Sequence, residues 1–121
     1  MDGKFYVWRE KFAVAKSKRV LPNSFAVIRD KNEITVVIDQ FKVSESDVIE
    51  IERDWKIITF DMLLPFGLVG FLAKVSKALA DENISIFAIS AYSTDHILVK
   101  EKDISKAIKK LEALGFHKEK V

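Results

Sequence analysis

The sequence predicts an α+β fold, and three observations carry that prediction. A β-branched, alternating run at residues 56–60, "KIITF", is followed by an apolar stripe at helical spacing. Two further short apolar runs are joined by a polar connection, and a second helical stripe precedes a short final apolar run. The resulting order is strand, helix, strand, strand, helix, strand, the ferredoxin-like split βαββαβ pattern.

Each element has its own signal. The strand at 56–60 is bounded ahead by Asp54 and behind by the loop holding Pro65 and Gly67. From Gly67 onward Leu68, Phe71, Leu72, Val75 and Leu79 form one apolar face, while Lys74, Ser76, Lys77 and Asp81 occupy the others, so a helix starts near Gly67. Asn83 tolerates the left-handed backbone that ends helices. Residues 84–91, "ISIFAISA", read as a strand with apolar residues on both faces, and 96–100, "HILVK", as its hairpin partner across a polar connection. Asp103 stands at the cap of a second helix that buries Ile104, Ala107, Ile108 and Leu111; Gly115 stops it and a short strand begins at Phe116.

The first half reads as β-rich. Strands are expected at 5–9 and 12–15, then at 25–29 and 34–38 around the tight "DKNE" turn, with another at 48–51. No helical stripe precedes residue 60, and Pro22 with Asn23 marks a break. The expected organisation is a β-rich subdomain at 1–54 and a complete βαββαβ unit at 55–121, without a flexible linker.

Composition narrows the function classes. The 121 residues are 49% hydrophobic and 31% charged, enough apolar material for a core in a chain of one-domain size. Twenty Lys and Arg oppose eighteen Asp and Glu, with interspersed signs, which argues against a dedicated nucleic-acid binder. The one basic concentration, Lys16, Lys18 and Arg19, reads as a solvated loop or a phosphate-contacting patch. Without cysteine there is no disulfide and no thiolate metal site. The start "MDGKFYVWRE" has no signal-peptide pattern and no apolar run reaches the ~20 residues of a membrane helix, so a soluble, cytoplasmic protein without a membrane partner is expected.

The run "AYSTDHILV", residues 91–99, holds hydroxyls, a carboxylate and an imidazole side by side. Neighbouring strand residues point to opposite faces, so Asp95 and His96 do not orient one another. Thr94 and His96 share a face, at a spacing of roughly 7 Å that places them beyond hydrogen-bond reach. Two histidines, His96 and His117, lack metal-ligand spacing, and no catalytic or phosphate-loop motif is present. The expectation is a non-enzyme without metal or cofactor. The same turn suits recognition: amides at a helix start hold a carboxylate, Asp95 accepts from an ammonium group and Tyr92 supplies a wall, which together fit an α-amino acid.

The segments "DWKIITF" and "PFGLVGFLAKVSKALADENISIFAISAYSTDHILV", with the amphipathic helix after them, resemble the ACT domain, in the variety found in the cytosolic arginine sensors and their small bacterial and archaeal relatives. "FAVIRDKNEITVVID" is similar to the matching segment of their first half. The resemblance implies two ACT-like subdomains, the first degenerate, and an amino acid bound at an interface between such units. It places ligand contacts at Phe66, Gly67, Leu68, Val69 and Gly70 before the first helix and at Ile89, Ser90, Ala91, Tyr92, Thr94 and Asp95 around the hairpin. The hydroxyls that relatives carry at the helix start are absent here, which leaves backbone amides, those of Gly67 to Val69, for the carboxylate. The implied role is a regulatory module that signals ligand occupancy through homo-oligomer assembly or a protein partner; the alternative is an interaction module that has lost its ligand.

Overall fold

The computed structural model describes residues 3–62 and 69–120. The chain folds as two compact units, one comprising Met1–Arg9 with Lys56–Val121 and the other Glu10–Trp55.

The first unit is the α+β one. Its strands are β1 (Gly3–Val7), the second part of β5 (Val48–Phe60), β6 (Phe87–Ser90), β7 (Asp95–Lys100) and β8 (Phe116–Lys118), and its helices are α1 (Phe71–Asp81) and α2 (Ile104–Ala113). The strands run β6-β7-β5-β1-β8. This is the split βαββαβ order with one addition: β1 lies between β5, to which it is antiparallel, and β8, to which it is parallel. The opening strand of the chain thus joins residues 56–121, whereas the sequence placed it with the first half. Its partner is set by the apolar face of Phe5 and Val7, which packs with Ile58, Phe60 and Phe116 against the helices.

Alternation explains the layering. Ile58 and Phe60 of β5, Ile97 and Val99 of β7, and Phe116 of β8 meet Phe71, Val75 and Leu79 of α1 and Ala107 and Leu111 of α2. Asn83 takes φ 59° and ends α1, with Ile84 N–H donating to the Leu79 carbonyl at 3.0 Å. Residues 84–86 therefore belong to the helix exit and β6 begins only at Phe87. Gly115, at φ 103°, follows α2 as expected. Asp103 occupies the cap position of α2, but its side chain makes no capping bond, because a preceding 3-10 turn, Glu101–Asp103, already presents the Glu101 carbonyl to the Ile104 amide.

The second unit contains β2 (Phe12–Ser17), β3 (Ala26–Arg29), β4 (Ile34–Asp39) and residues 48–55 of β5, in the order β3-β4-β2-β5. Among the described residues it has a 3-10 turn, Glu45–Asp47, and no α-helix. Ala15, Leu21, Val36 and Ile38 form its buried cluster. The strands expected at 48–51 and 56–60 are one continuous strand, β5. What looked like an interruption at Asp54 is a bulge: between the pairs Phe12↔Trp55 and Val14↔Glu52, Ala13 faces both Arg53 and Asp54.

Candidate functional site

The site is built at one end of the first unit. Thr59, next to the last residue of β5, lies 2.8 Å from His96 at the start of β7. Phe71, the first residue of α1, packs edge-on against Phe60 with ring centroids 5.1 Å apart. The β6-β7 turn and the start of α1 are therefore both at the C-terminal end of β5. This follows from the split βαβ connection, which returns β6 parallel to β5 and puts its following turn above the helix start.

Face as well as end is shared. Ser90 pairs with Asp95, Ile89 with His96 and Ala88 with Ile97 across the hairpin. Asp95 alternates with Ile97 and Val99, which face the helices, so its carboxylate lies on the α1 side of the sheet. It is a strand residue and not the turn residue expected, since the Ala91 amide donates to the Thr94 carbonyl at 2.8 Å and closes a tighter loop around Tyr92 and Ser93. Asp95 is half-buried, and among the described residues no hydrogen bond or ion pair engages its side chain.

The helix start departs from the expected one. Gly70 is the N-cap of α1, at φ 89°, and the first intrahelical bond runs from the Lys74 amide to the Gly70 carbonyl at 3.0 Å. The amides of α1 without intrahelical partners are those of Phe71, Leu72 and Ala73. Gly70 has no side chain to cap them. The left-handed cap conformation favours glycine, the residue that stands there. Phe66, Gly67 and Leu68 lie outside the described residues. Val69, 91% exposed, precedes the cap, and Tyr92, 81% exposed, tips the hairpin beside the exposed Ser90 and Ala91.

On the opposite face a polar chain was missed by sequence reading. The Trp8 indole N–H donates to Thr59 Oγ1 at 2.8 Å, and Thr59 Oγ1 is 2.8 Å from His96 Nδ1. Thr94 Oγ1 is 3.4 Å from His96 Nε2, so the expected separation of Thr94 and His96 is corrected: the backbone spacing holds, but side chains on one face lean together across it. A neutral imidazole has one accepting and one donating ring nitrogen, so one of these two contacts is accepted by His96 and the other donated by it. Burial depresses the His96 pKa, against an opposing pull from Asp95. Trp8 and Thr59 are ordinary strand residues in the sequence, and only the pairing of β1, β5 and β7 gathers them.

The Thr59–His96 contact resembles a nucleophile with its base, yet Thr59 is 3% exposed and its hydroxyl, which accepts from Trp8, is already engaged with His96. The chain orients strands. Because the folded-state pKa of His96 lies below its ordinary 6.5, folding favours the neutral form; stability from this source is complete above pH 6.5 and declines as pH falls through the folded pKa. Denaturant unfolding across that acid range is expected to show the decline in the native chain and a shallower one in His96→Asn, whose amide oxygen can still accept from Thr59. An unchanged slope in the variant contradicts the assignment.

Comparison with known proteins agrees with this fold. Residues 50–113, more than half of the chain, match the ACT domain. The human protein CASTOR3P is 26% identical over 91 residues, covering 66% of this chain and 56% of its own, so the chain spans little more than half the length of that relative. Among solved structures, protein Atu0741 from Agrobacterium tumefaciens aligns with a TM-score of 0.85 at 20% identity, over 98% of this chain and 93% of that one. The ligand-free regulatory subunit of aspartate kinase from Thermus thermophilus aligns at 0.63 and 9% identity, over 90% and 95%. At such identities these likenesses are of fold. Among the described residues no helix is long and apolar enough to cross a membrane. With the split βαββαβ order in place and most of that unit matched, the chain belongs to the ACT domain family.

Proposed function

We propose that the chain is a non-catalytic regulatory domain that binds a free amino acid and passes its occupancy on through assembly or a partner protein. The observation that carries this reading is the shared position of Asp95 and the α1 N-terminus: the same end of the sheet, the same face, a carboxylate without a side-chain partner among the described residues and first-turn amides without intrahelical partners. A zwitterion is the ligand whose two charges match such a pair, ammonium to Asp95 and carboxylate to the amides of Phe71 to Ala73. Val69, Gly70, Ile89, Ser90, Ala91, Tyr92 and Thr94 border this end, and the ligand contacts proposed at Phe66, Gly67 and Leu68 rest on the family resemblance. The fold shared with a protein named as a regulatory subunit supports the regulatory part.

Calorimetry or thermal-shift screening of the chain against the twenty amino acids tests the reading, and silence at millimolar concentrations of all of them sinks it. Asp95→Ala is expected to leave folding nearly unchanged and to weaken binding by about 1.5–3 kcal/mol, the worth of a charge-assisted hydrogen bond. Equal affinity in that variant removes Asp95 from the site.

The exposed Val69 and Tyr92 favour a second reading, a ligand-free interaction module. Light scattering separates the two: an assembly state indifferent to every amino acid supports the module, and one that shifts with ligand supports the regulator.

A further inference from the structure

The basic stretch at 16–19 has no part in the amino-acid reading, and the structure gives it neighbours from elsewhere in the chain. In the unit Glu10–Trp55, the end of β2 and the turn joining β3 to β4 border a concavity of about 300 Å³. Its cationic side is formed by Lys16, Lys18, Arg29 and Lys31. Three chain segments are thus brought together, since Ser17 pairs with Ile34 and Ile34 pairs with Arg29 across adjacent strands.

The carboxylates nearby do not neutralise these cations. Asp30 Oδ1 is turned to the backbone, accepting from the Asn32 and Glu33 amides at 2.8 and 3.0 Å. Glu33 Oε2 takes a long contact of 3.5 Å from the Thr35 hydroxyl. Glu50 stands opposite Lys16 in the ladder without forming a salt bridge to it. Arg19 shows the contrast: it is held by both oxygens of Asp47, at 3.0 and 3.2 Å, and it does not line the concavity. Among the described residues no ion pair or side-chain hydrogen bond engages Lys16, Lys18, Arg29 or Lys31. Four basic lining residues against two carboxylates, Asp30 and Glu33, leave the hollow a positive excess that favours an anion.

We propose that this hollow is a binding site for a small phosphate-bearing molecule. A phosphate presents oxygens in several directions at once, which suits basic residues contributed by two segments, 16–18 and 29–31; the Arg29 fork can take two of them and the lysines act as point charges. The volume stands at the lower end of small-molecule sites, which run from roughly 300 to 1,000 Å³, and holds one such ligand. Ile34 and Ile49, the latter 56% exposed, offer an apolar edge for the part of the ligand that is not phosphate.

Pyrophosphate titrated into the full chain and followed by amide NMR tests the proposal. The expected result is saturable shifts confined to residues 16–18, 29–34 and 49, weakening steeply as salt rises. Arg29→Gln with Lys31→Gln is expected to reduce affinity at least about ten-fold, with an unaltered unfolding midpoint because both side chains are exposed. Lys106→Gln with Lys109→Gln, on α2, is expected to change nothing. Shifts of equal size along α2, or equal loss in the two double variants, reduce the effect to diffuse surface charge and overturn the proposal. A short single-stranded RNA that displaces pyrophosphate and binds more tightly overturns it in favour of nucleic acid.

Discussion

Phe60→Ala is expected to cost about 3–5 kcal/mol, the range for truncating a buried aromatic side chain, against a total of about 5–15 kcal/mol for a typical domain. Phe60 has no exposed surface and its ring meets Phe5 at 6.5 Å, Phe71 at 5.1 Å and Phe116 at 5.4 Å. These partners belong to β1, α1 and β8, so one side chain ties the inserted strand, the first helix and the last strand to β5. Truncation leaves a cavity that none of them can fill without losing another contact. The loss reaches function because Phe71 opens α1, and its seat on Phe60 fixes where the first helical amides point. Phe60→Leu keeps much of the volume and is expected to cost under about 1.5 kcal/mol while weakening any amino-acid response. Urea unfolding of the two variants measures the difference; similar midpoints would show that the aromatic cluster is not the centre of this core.

Gln40→Ala is expected to cost about 1–3 kcal/mol, through a different mechanism. Asp54 sits in β5 at φ 66°, a left-handed conformation that favours glycine, and it is one of the two β5 residues that the bulge sets opposite Ala13. The Gln40 amide holds it from both sides: Asp54 N–H donates to Gln40 Oε1 at 2.7 Å and Gln40 Nε2 donates to Asp54 Oδ1 at 3.1 Å. Gln40 is itself 8% exposed and anchored by its own amide to the Lys11 carbonyl at 3.0 Å. Removing its side chain leaves a strained residue without its clamp. In the Gln40→Ala background Asp54→Gly is expected to restore part of the loss, about 1 kcal/mol, by relieving the backbone. A double variant no more stable than the single one rules out strain as the reason for the clamp.

The legible part of this protein was periodic. The apolar stripe through Phe71, Val75 and Leu79 and the one through Ala107 and Leu111 give their helices directly, because a buried face must recur every three or four residues. Asn83 and Gly115 marked helix ends for the equally local reason that few residues tolerate positive φ. The separation of Asp95 from His96 was read from strand alternation alone, and the ladder registers both residues on opposite faces. Boundaries were less legible. Asp54 looked like the end of a strand, since a lone aspartate in a β-rich run reads as a breaker, and nothing local announced that Gln40, fourteen residues away, would hold it inside one.

The candidate site divides in the same way. Tyr92, Thr94 and Asp95 stood out as polar residues in a hairpin, but the helix start was placed too early because Leu68 continues the apolar spacing and the spacing carries no information about φ. Thr59 and Trp8 carried no signal at all. Local pattern, turn chemistry and charge composition were enough to establish an α+β chain of split βαββαβ order with a polar hairpin opposite a helix start, since each depends on neighbours within a few positions. Pairing across the sheet placed β1 between β5 and β8, made β5 continuous, seated His96 on Thr59 and collected Lys16, Lys18, Arg29 and Lys31 around one hollow. Those outcomes depend on which buried faces meet, a competition among distant segments that is settled only when the core closes.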